Sequence, residues 1–344
     1  MAIFFDAPVT PDALTTFVRE VPVNPSLALL ESFPPVYLQT NTVDFAEIVR
    51  TNRTARYRSF DGRIHVSERD AGSEKRVNLL PLSSSLSTGE YERLQLEFAR
   101  TGGTRQAALA NAVYNDATNL TREVQNRLEQ AWGSVMSTGK LTIDENGFQG
   151  EADFGVPTDH KVTAVKPWSD KTALALSELI AWHDVYVATT GGAAGAIRTS
   201  QTALRFLQVN TEIVNAVHGS TSGKTRVTLS ELNELLANEG LPAIETPYDA
   251  QVDVDGVITR VIPADKLTFT PANLADLGHT AWGVSATALE LVNSGEAELS
   301  FEEAAGIVGV VEKVGPPYRQ FTYVDAVAMP ILSDARRLFI ADVL

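Results

Sequence analysis

Between Arg105 and Ser137, the residues Leu109, Val113, Ala117, Leu120, Val124, Leu128, Ala131 and Val135 recur at steps of three or four. That spacing holds one apolar stripe on one face, the mark of an amphipathic helix. The pattern repeats every eleven residues, close to the natural helical period, so the stripe barely drifts around the axis. At about 1.5 Å per residue, roughly thirty residues make a rod on the order of 50 Å long. Arg122, Glu123, Arg127 and Glu129 are read as lying off the stripe, which excludes a membrane span. A rod of this length is expected to run past the core of a small globule and to serve as a spine.

A chain of 344 residues has room for about two core-bearing units. Its net charge of −15 makes the whole a poor candidate for wrapping nucleic acid. It has no cysteine, which rules out disulfides, thiolate metal sites and cysteine nucleophiles. Met1 to Thr10 lacks a basic region and carries Asp6, unlike a secretory signal. Val185 to Ile197, an uncharged window as long as any in the chain, is too short and glycine-rich to span a bilayer. A soluble protein made in a cytoplasm is expected.

The charge is unevenly spread. Arg50 to Arg76 holds eight basic and four acidic residues, a local net of +4 that leaves −19 for the remainder. Tyr57, Phe60, Ile64 and Val66 flank the turn signal Asp61-Gly62, predicting a hairpin that projects without a core of its own. The charge fits either a solvated loop or a basic arm that docks on an acidic neighbouring copy.

Thr10-Pro11-Asp12 predicts an N-cap and a helix to about Glu20. Four prolines between Val21 and Pro35 surround Leu27, Leu29, Leu30 and Phe33, an arm that must bury these side chains against the fold or another subunit. Thr42 to Val49 reads as a strand, and Tyr91 to Phe98 as a short helix. Asn146-Gly147 and Asp255-Gly256 each predict a hairpin turn. Helices are expected over Lys171 to Thr190, around Leu204 to Val217, and from Thr228-Leu229-Ser230-Glu231 to Gly240. Two apolar runs close the chain, Phe321 to Val327 and Leu338 to Val343, interrupted by Pro330. The last is apolar on both faces, so it is expected inside a sheet.

Motifs for chemistry fall short. Gly219 to Thr225 approaches a phosphate loop, but His218 stands where the first glycine belongs, and a helix is expected before it instead of a strand. Gln251 to Gly256 approaches a calcium loop, but its twelfth position is Ile262, where a bidentate glutamate is needed. Gly219 to Gly223 has Thr221 at the centre where a nucleophile elbow needs serine. Histidines 65, 160, 183, 218 and 279 show no ligand spacing. No catalytic, cofactor or metal residue is assigned, and no enzymatic activity is expected.

The order of parts is more informative: a proline-broken arm, a basic hairpin, the spine, a turned β-pair, an α/β block and apolar terminal strands. Local features accompany it: Trp168-Ser169-Asp170-Lys171-Thr172 before a helix, and Tyr248-Asp249 before the Asp255-Gly256 hairpin with Ile262-Pro263 after it. At the C-terminal end stand Gly315-Pro316-Pro317, Phe321-Thr322-Tyr323-Val324, Met329-Pro330-Ile331-Leu332 and Ile340-Ala341-Asp342-Val343-Leu344. In this order and spacing the chain resembles the major capsid proteins of tailed bacteriophages, the family of the lambda-type capsid protein E, over roughly residues 5 to 344.

The resemblance implies the α+β capsid fold of the Hong Kong phage type. It implies an N-terminal arm (1–41), a strand and extended loop (42–83), a peripheral domain with the spine (84–154), an axial domain with its connections (155–318) and C-terminal strands returning to the peripheral domain (319–344). The implied function is a major capsid protein that self-assembles into an icosahedral shell around packaged DNA; the alternatives are an encapsulin-like shell and, from the near-miss loop at Gly219 to Thr225, a nucleotide-binding enzyme. Implied partners are further copies in hexamers and pentamers, a portal, a scaffold or protease, and a decoration protein. DNA would be enclosed without sequence-specific binding, in a virion assembled in the bacterial cytoplasm. Inter-subunit contacts are expected from Arg53, Arg56, Arg58, Arg63, Arg69, Lys75 and Arg76.

Overall fold

The computed structural model describes residues 2–3, 7, 9–48, 72–89, 105–145, 148–254, 256–294, 299–315 and 319–344. The expected turns at Asp61-Gly62 and Asn146-Gly147, Asp255 of the third turn, the helix at Tyr91 to Phe98, Pro316-Pro317 and His65 lie outside these residues. The chain begins with β1 (Ala2–Ile3), α1 (Pro11–Glu20), α2 (Ala28–Ser32), β2 (Pro35–Tyr37), β3 (Thr42–Ile48), β4 (Gly72–Asn78) and β5 (Pro81–Thr88). The spine, α3 (Arg105–Thr138), leads to β6 (Lys140–Glu145), β7 (Phe148–Asp153), β8 (Lys161–Thr163), α4 (Ala175–Thr190) and β9 (Ala196–Thr199). Next come α5 (Gln201–Val209), α6 (Thr211–His218), α7 (Leu229–Asn238), β10 (Gln251–Val254), β11 (Val257–Arg260) and β12 (Lys266–Thr270). The chain closes with β13 (Gly278–Trp282), α8 (Ala286–Ser294), β14 (Val308–Val314), β15 (Arg319–Leu332) and β16 (Phe339–Asp342).

The spine has the predicted start and ends one residue beyond the predicted span. Val113, Ala117, Leu120, Val124, Leu128 and Val135 are buried along it. Two expectations change. From Val113 to Val135 the stripe is covered within one chain, by β15 and the N-terminal helices, so this length lies in the core instead of running past it. Glu129, expected off the stripe, is fully buried beside Thr121, Gln125 and Trp132. The reason is a second buried face: α1 and α2 pack against it, and the Gln125 side-chain amide donates to Val21 O at 3.2 Å.

The proline-rich arm therefore lies on its own fold. Leu27, Leu29, Leu30 and Phe33 join the core, and the Phe33 ring stacks on Trp132 with centroids 3.5 Å apart. The Trp132 indole N–H donates to Thr280 Oγ1 at 2.9 Å, tying the spine to β13. The sheet alongside has the order β1-β14-β15-β13-β2, with β5 also on β15. Pro330 does not interrupt β15, contrary to expectation. Ala328 N–H points to Leu80 O at the β5 flank, and alternation puts the nitrogen of residue 330 on that flank beyond Pro81, where β5 begins. No ladder hydrogen bond is lost there. Opposite it, the Thr280 N–H turns away to Pro34 O at 3.0 Å.

A second core lies under the sheet β8-β16-β12-β9 and the helices α4 to α7. As expected, the last strand is interior, antiparallel to β12 and parallel to β8. The helix expected around Leu204 to Val217 is two, because Asn210 is extended at φ −64° and ψ 133°. Its side chain caps α6 by accepting from the Ile213 N–H and donates to Ala173 O at 2.8 Å. Thr228 and Glu231 form a capping box on α7. The expected helix from Lys171 begins at Ala175, after a hydrogen-bonded loop. Strands β13, β14 and β15 pair beside the spine, whereas β16 crosses into the second sheet.

Candidate assembly surfaces

The expected basic hairpin lies outside the described residues; the strands that flank it, β3 and β4, form an antiparallel pair with no third strand among the described residues. Its base is bolted to the body. Leu79 N–H donates to Asn41 O at 2.8 Å, and Asn41 Oδ1 accepts from Val284 N–H at 3.0 Å beyond β13. Arg53, Arg56, Arg58, Arg63 and Arg69 lie outside the described residues. Lys75 and Arg76 fall on β4, in register with Phe45 and Asp44 of β3.

The remainder of the chain is acidic, and part of its positive charge is paired locally. Arg127 meets Glu145 at 2.6 Å, Lys140 meets Glu151 and Asp153 at 2.9 Å each, and Arg198 meets Glu245 at 2.6 Å. Lys266 pairs with Asp342 and Arg260 with Asp249. Such exposed pairs add little stability each. Their consequence is electrostatic: neutralised cations leave the net −19 outside residues 50–76 to be carried by other carboxylates.

Two polar nodes fasten the N-terminal helices α1 and α2 to the body. At the first, Leu27 precedes α2 and has no side chain able to cap it. Glu129 of the spine supplies the cap, accepting from Leu29 N–H at 3.0 Å and Leu30 N–H at 2.6 Å. Tyr248 adds its hydroxyl to the same carboxylate. Burial pushes the Glu129 carboxyl pKa up, against the pull of these three donors. Burial and the carboxylate together push the Tyr248 phenol pKa up. At the second node, Arg19 of α1 donates from Nε to Ile307 O at 3.0 Å and from Nη2 to Glu303 O at 2.8 Å.

Sequence reasoning missed Glu129 as a functional group. The available signal was an acid between Leu128 and Ala131, matched to a helix whose N-cap position holds leucine. Only the placement of α2 brings the two together.

The near-miss motifs are occupied by local structure. The Gly219 to Thr225 loop follows helix α6, and its N–H groups turn inward, Ser222 to Gly219 O and Lys224 to Ser222 Oγ. The Asp253 carboxylate accepts from Gly256 N–H at 2.7 Å and so closes the β10–β11 turn. His160, His183 and His279 have separate hydrogen-bond partners, Leu338 O, Ala194 N–H and Ser333 Oγ respectively.

Comparison with known proteins agrees with this architecture. The family model described as phage major capsid protein E matches residues 10–295. No curated protein matches by sequence. Among solved structures, the capsid protein of an E. coli CFT073 prophage superposes with a TM-score of 0.62 at 14% identity, covering 96% of this chain and 97% of that one. A phage-related protein from Bordetella bronchiseptica RB50 gives 0.54 at 13% identity, with 99% and 97% covered. The capsid of Myoviridae phage XM1 gives 0.50 at 11% identity, with 92% and 91% covered. At such identities the likeness is one of fold; the family match covers most of the chain. The chain belongs to the phage major capsid protein E family and is a shell-forming subunit of the phage capsid fold.

Proposed function

We propose that each subunit builds the shell by laying its basic arm, residues 50–76, on the acidic body of an adjacent copy. The observation that carries this reading is a charge imbalance within one chain, +4 on the arm against −19 elsewhere. The β3–β4 pair, anchored at Asn41 and Leu79, supports it by offering a fixed base for a projecting arm. Complementary patches of this kind set orientation and register more than raw affinity.

The body around the spine, with β13 to β15, takes the role of peripheral domain, and the α/β module under β16 that of axial domain around hexamer and pentamer axes. An acidic body lines a container that does not grip the DNA it holds. The role is structural, without a catalytic step. Assembly takes place in the host cytoplasm, with a portal and a scaffold or protease, and the finished shell has room for a decoration protein.

Charge reversal tests the docking. Replacing Arg53, Arg56, Arg58, Arg63, Arg69, Lys75 and Arg76 by glutamate should leave a folded subunit that forms no particles. Circular dichroism, light scattering and negative-stain microscopy across salt concentration read the outcome. Normal particles from that variant would remove the docking mechanism.

A further inference from the structure

A cavity of about 330 Å³ opens where the N-terminal helices meet the spine and β13. Its walls are largely apolar: Val18, Leu30, Phe33 and Ile307 are buried, and Trp282 adds a half-buried ring. Arg19, Glu31 and Tyr37 line its exposed rim. Folded interiors leave few voids larger than a water molecule, and the wall of a void forgoes packing contacts. A hollow of this size falls within the range of small-molecule pockets.

Three buried polar side chains line it, and two are already engaged. Thr121 Oγ1 donates to Ala117 O at 2.7 Å, and Thr280 Oγ1 accepts the Trp132 indole N–H. The third is Gln125, only 7% exposed. Its amide nitrogen donates to Val21 O at 3.2 Å, which fixes the way the amide faces. Its Oε1 is then left buried, with no hydrogen-bond partner among the described residues. A buried acceptor of this kind carries an uncompensated desolvation penalty that a donor would relieve.

The remaining features narrow the occupant. Arg19 and Glu31 bring opposite charges to the rim, so the site favours neither an anion nor a cation. The Arg19 guanidinium is moreover turned to three main-chain carbonyls, those of Ile307, Glu303 and Ala305. Rings on Phe33, Tyr37 and Trp282 suit a flat aromatic body. A bridging water needs two to four polar partners, and a mainly apolar wall with one orphan acceptor suits a single-donor ligand better.

We propose that this cavity binds a small neutral aromatic molecule carrying one N–H or O–H donor, which packs against Phe33 and Trp282 and donates to Gln125 Oε1. Bound there, it joins α1, α2, the spine and β13, and so fastens the N-terminal helices more tightly. The site is built within one chain and is independent of the docking of the basic arm.

Indole, a planar apolar ring system with one donor, is the probe. Benzofuran, which puts an oxygen acceptor where indole has its N–H, is the control. Titration calorimetry on the free subunit should give saturable one-to-one indole binding with Kd below about 1 mM, and benzofuran binding about fivefold weaker or worse. At about tenfold excess over Kd, indole should raise Tm by about 2 °C and slow hydrogen exchange at the Leu30 and Phe33 amides. No saturable indole binding, or equal binding of benzofuran, would overturn the proposal. Gln125→Met removes the acceptor at similar size and should erase the preference for indole; a preference that persists in the folded variant would also overturn it. Should that variant fail to fold, the comparison of the two ligands on the unaltered chain decides alone. Indole should bind assembled particles as it binds the free subunit, whereas loss of binding on assembly would overturn a free-ligand site in favour of a side chain from a neighbouring copy.

Discussion

Replacing Glu129 by alanine removes the acceptor for three donors at once: the Leu29 and Leu30 N–H groups at the start of α2, and the Tyr248 hydroxyl. Each buried donor left without a partner costs about 1–3 kcal/mol. The Tyr248 hydroxyl can regain water from the adjoining cleft of about 620 Å³, which both Leu29 and Tyr248 line. Allowing for that relief, Glu129→Ala should cost about 3 kcal/mol. At the usual unfolding entropy per residue, a 344-residue chain melting as one unit then loses about 4 °C in Tm. Glu129→Gln keeps one acceptor oxygen but turns an amide N–H₂ toward one donor, and should cost about half as much.

Thermal unfolding measures the global change, and hydrogen exchange at Leu29 and Leu30 measures the local one. Faster exchange at those two amides, with core strands unaffected until global unfolding, is the expected signature. An alanine variant with unchanged Tm and unchanged exchange at α2 would refute the cap. The pH dependence has a definite sign. Burial raises the folded pKa of Glu129 above its ordinary value of 4.5, so between the two the folded chain holds a proton that the unfolded chain has released. The contribution of this group to stability therefore falls as pH rises through the folded pKa, and Glu129→Gln should flatten that part of the profile.

Four further outcomes follow from the packing. Burial lowers the pKa of His160, whose Nδ1–H donates to Leu338 O at 3.1 Å and whose buried Nε2 lacks a hydrogen-bond partner. Stability from this group is full above its ordinary pKa of 6.5 and is lost as pH falls from there through the folded value. His160→Asn, which keeps a donor, should reduce the drop in urea midpoint between about pH 7 and about pH 5. Phe33→Ala empties the space stacked on Trp132 and should cost about 3–5 kcal/mol, read as a lower denaturant midpoint. Gly133→Ala puts a Cβ 2.1 Å from Val261 O, so it should cost about 1–3 kcal/mol or prevent folding. Gly192→Ala, with nothing within 4 Å of its Cβ, should leave stability within about 0.5 kcal/mol.

Local features of this protein were legible because their causes are local. The spine followed from a stripe at helical spacing, the β10–β11 pairing from the hairpin signal between its strands, the start of α1 from Thr10-Pro11 and the start of α7 from Thr228 and Glu231. The interior position of β16 followed from a strand apolar on both faces. Two local readings differed for reasons visible only in contacts. Asn210 divides a helix because its amide also reaches Ala173 O, and Pro330 stays within β15 because no strand faces its nitrogen.

The sequence by itself determined the long helix, the charge contrast between arm and body, the order of parts and, through that order, the family. Tertiary structure alone decided how those parts lie together. Burial of Glu129 required α2 to be laid across the spine, 99 and 100 residues away in sequence from the carboxylate that caps it. Division of the terminal strands between two sheets likewise depends on long-range pairing, β15 with β5 and β16 with β8. Periodicity and turn signals report neighbours along the chain, whereas a hydrogen bond between distant segments leaves no period to read.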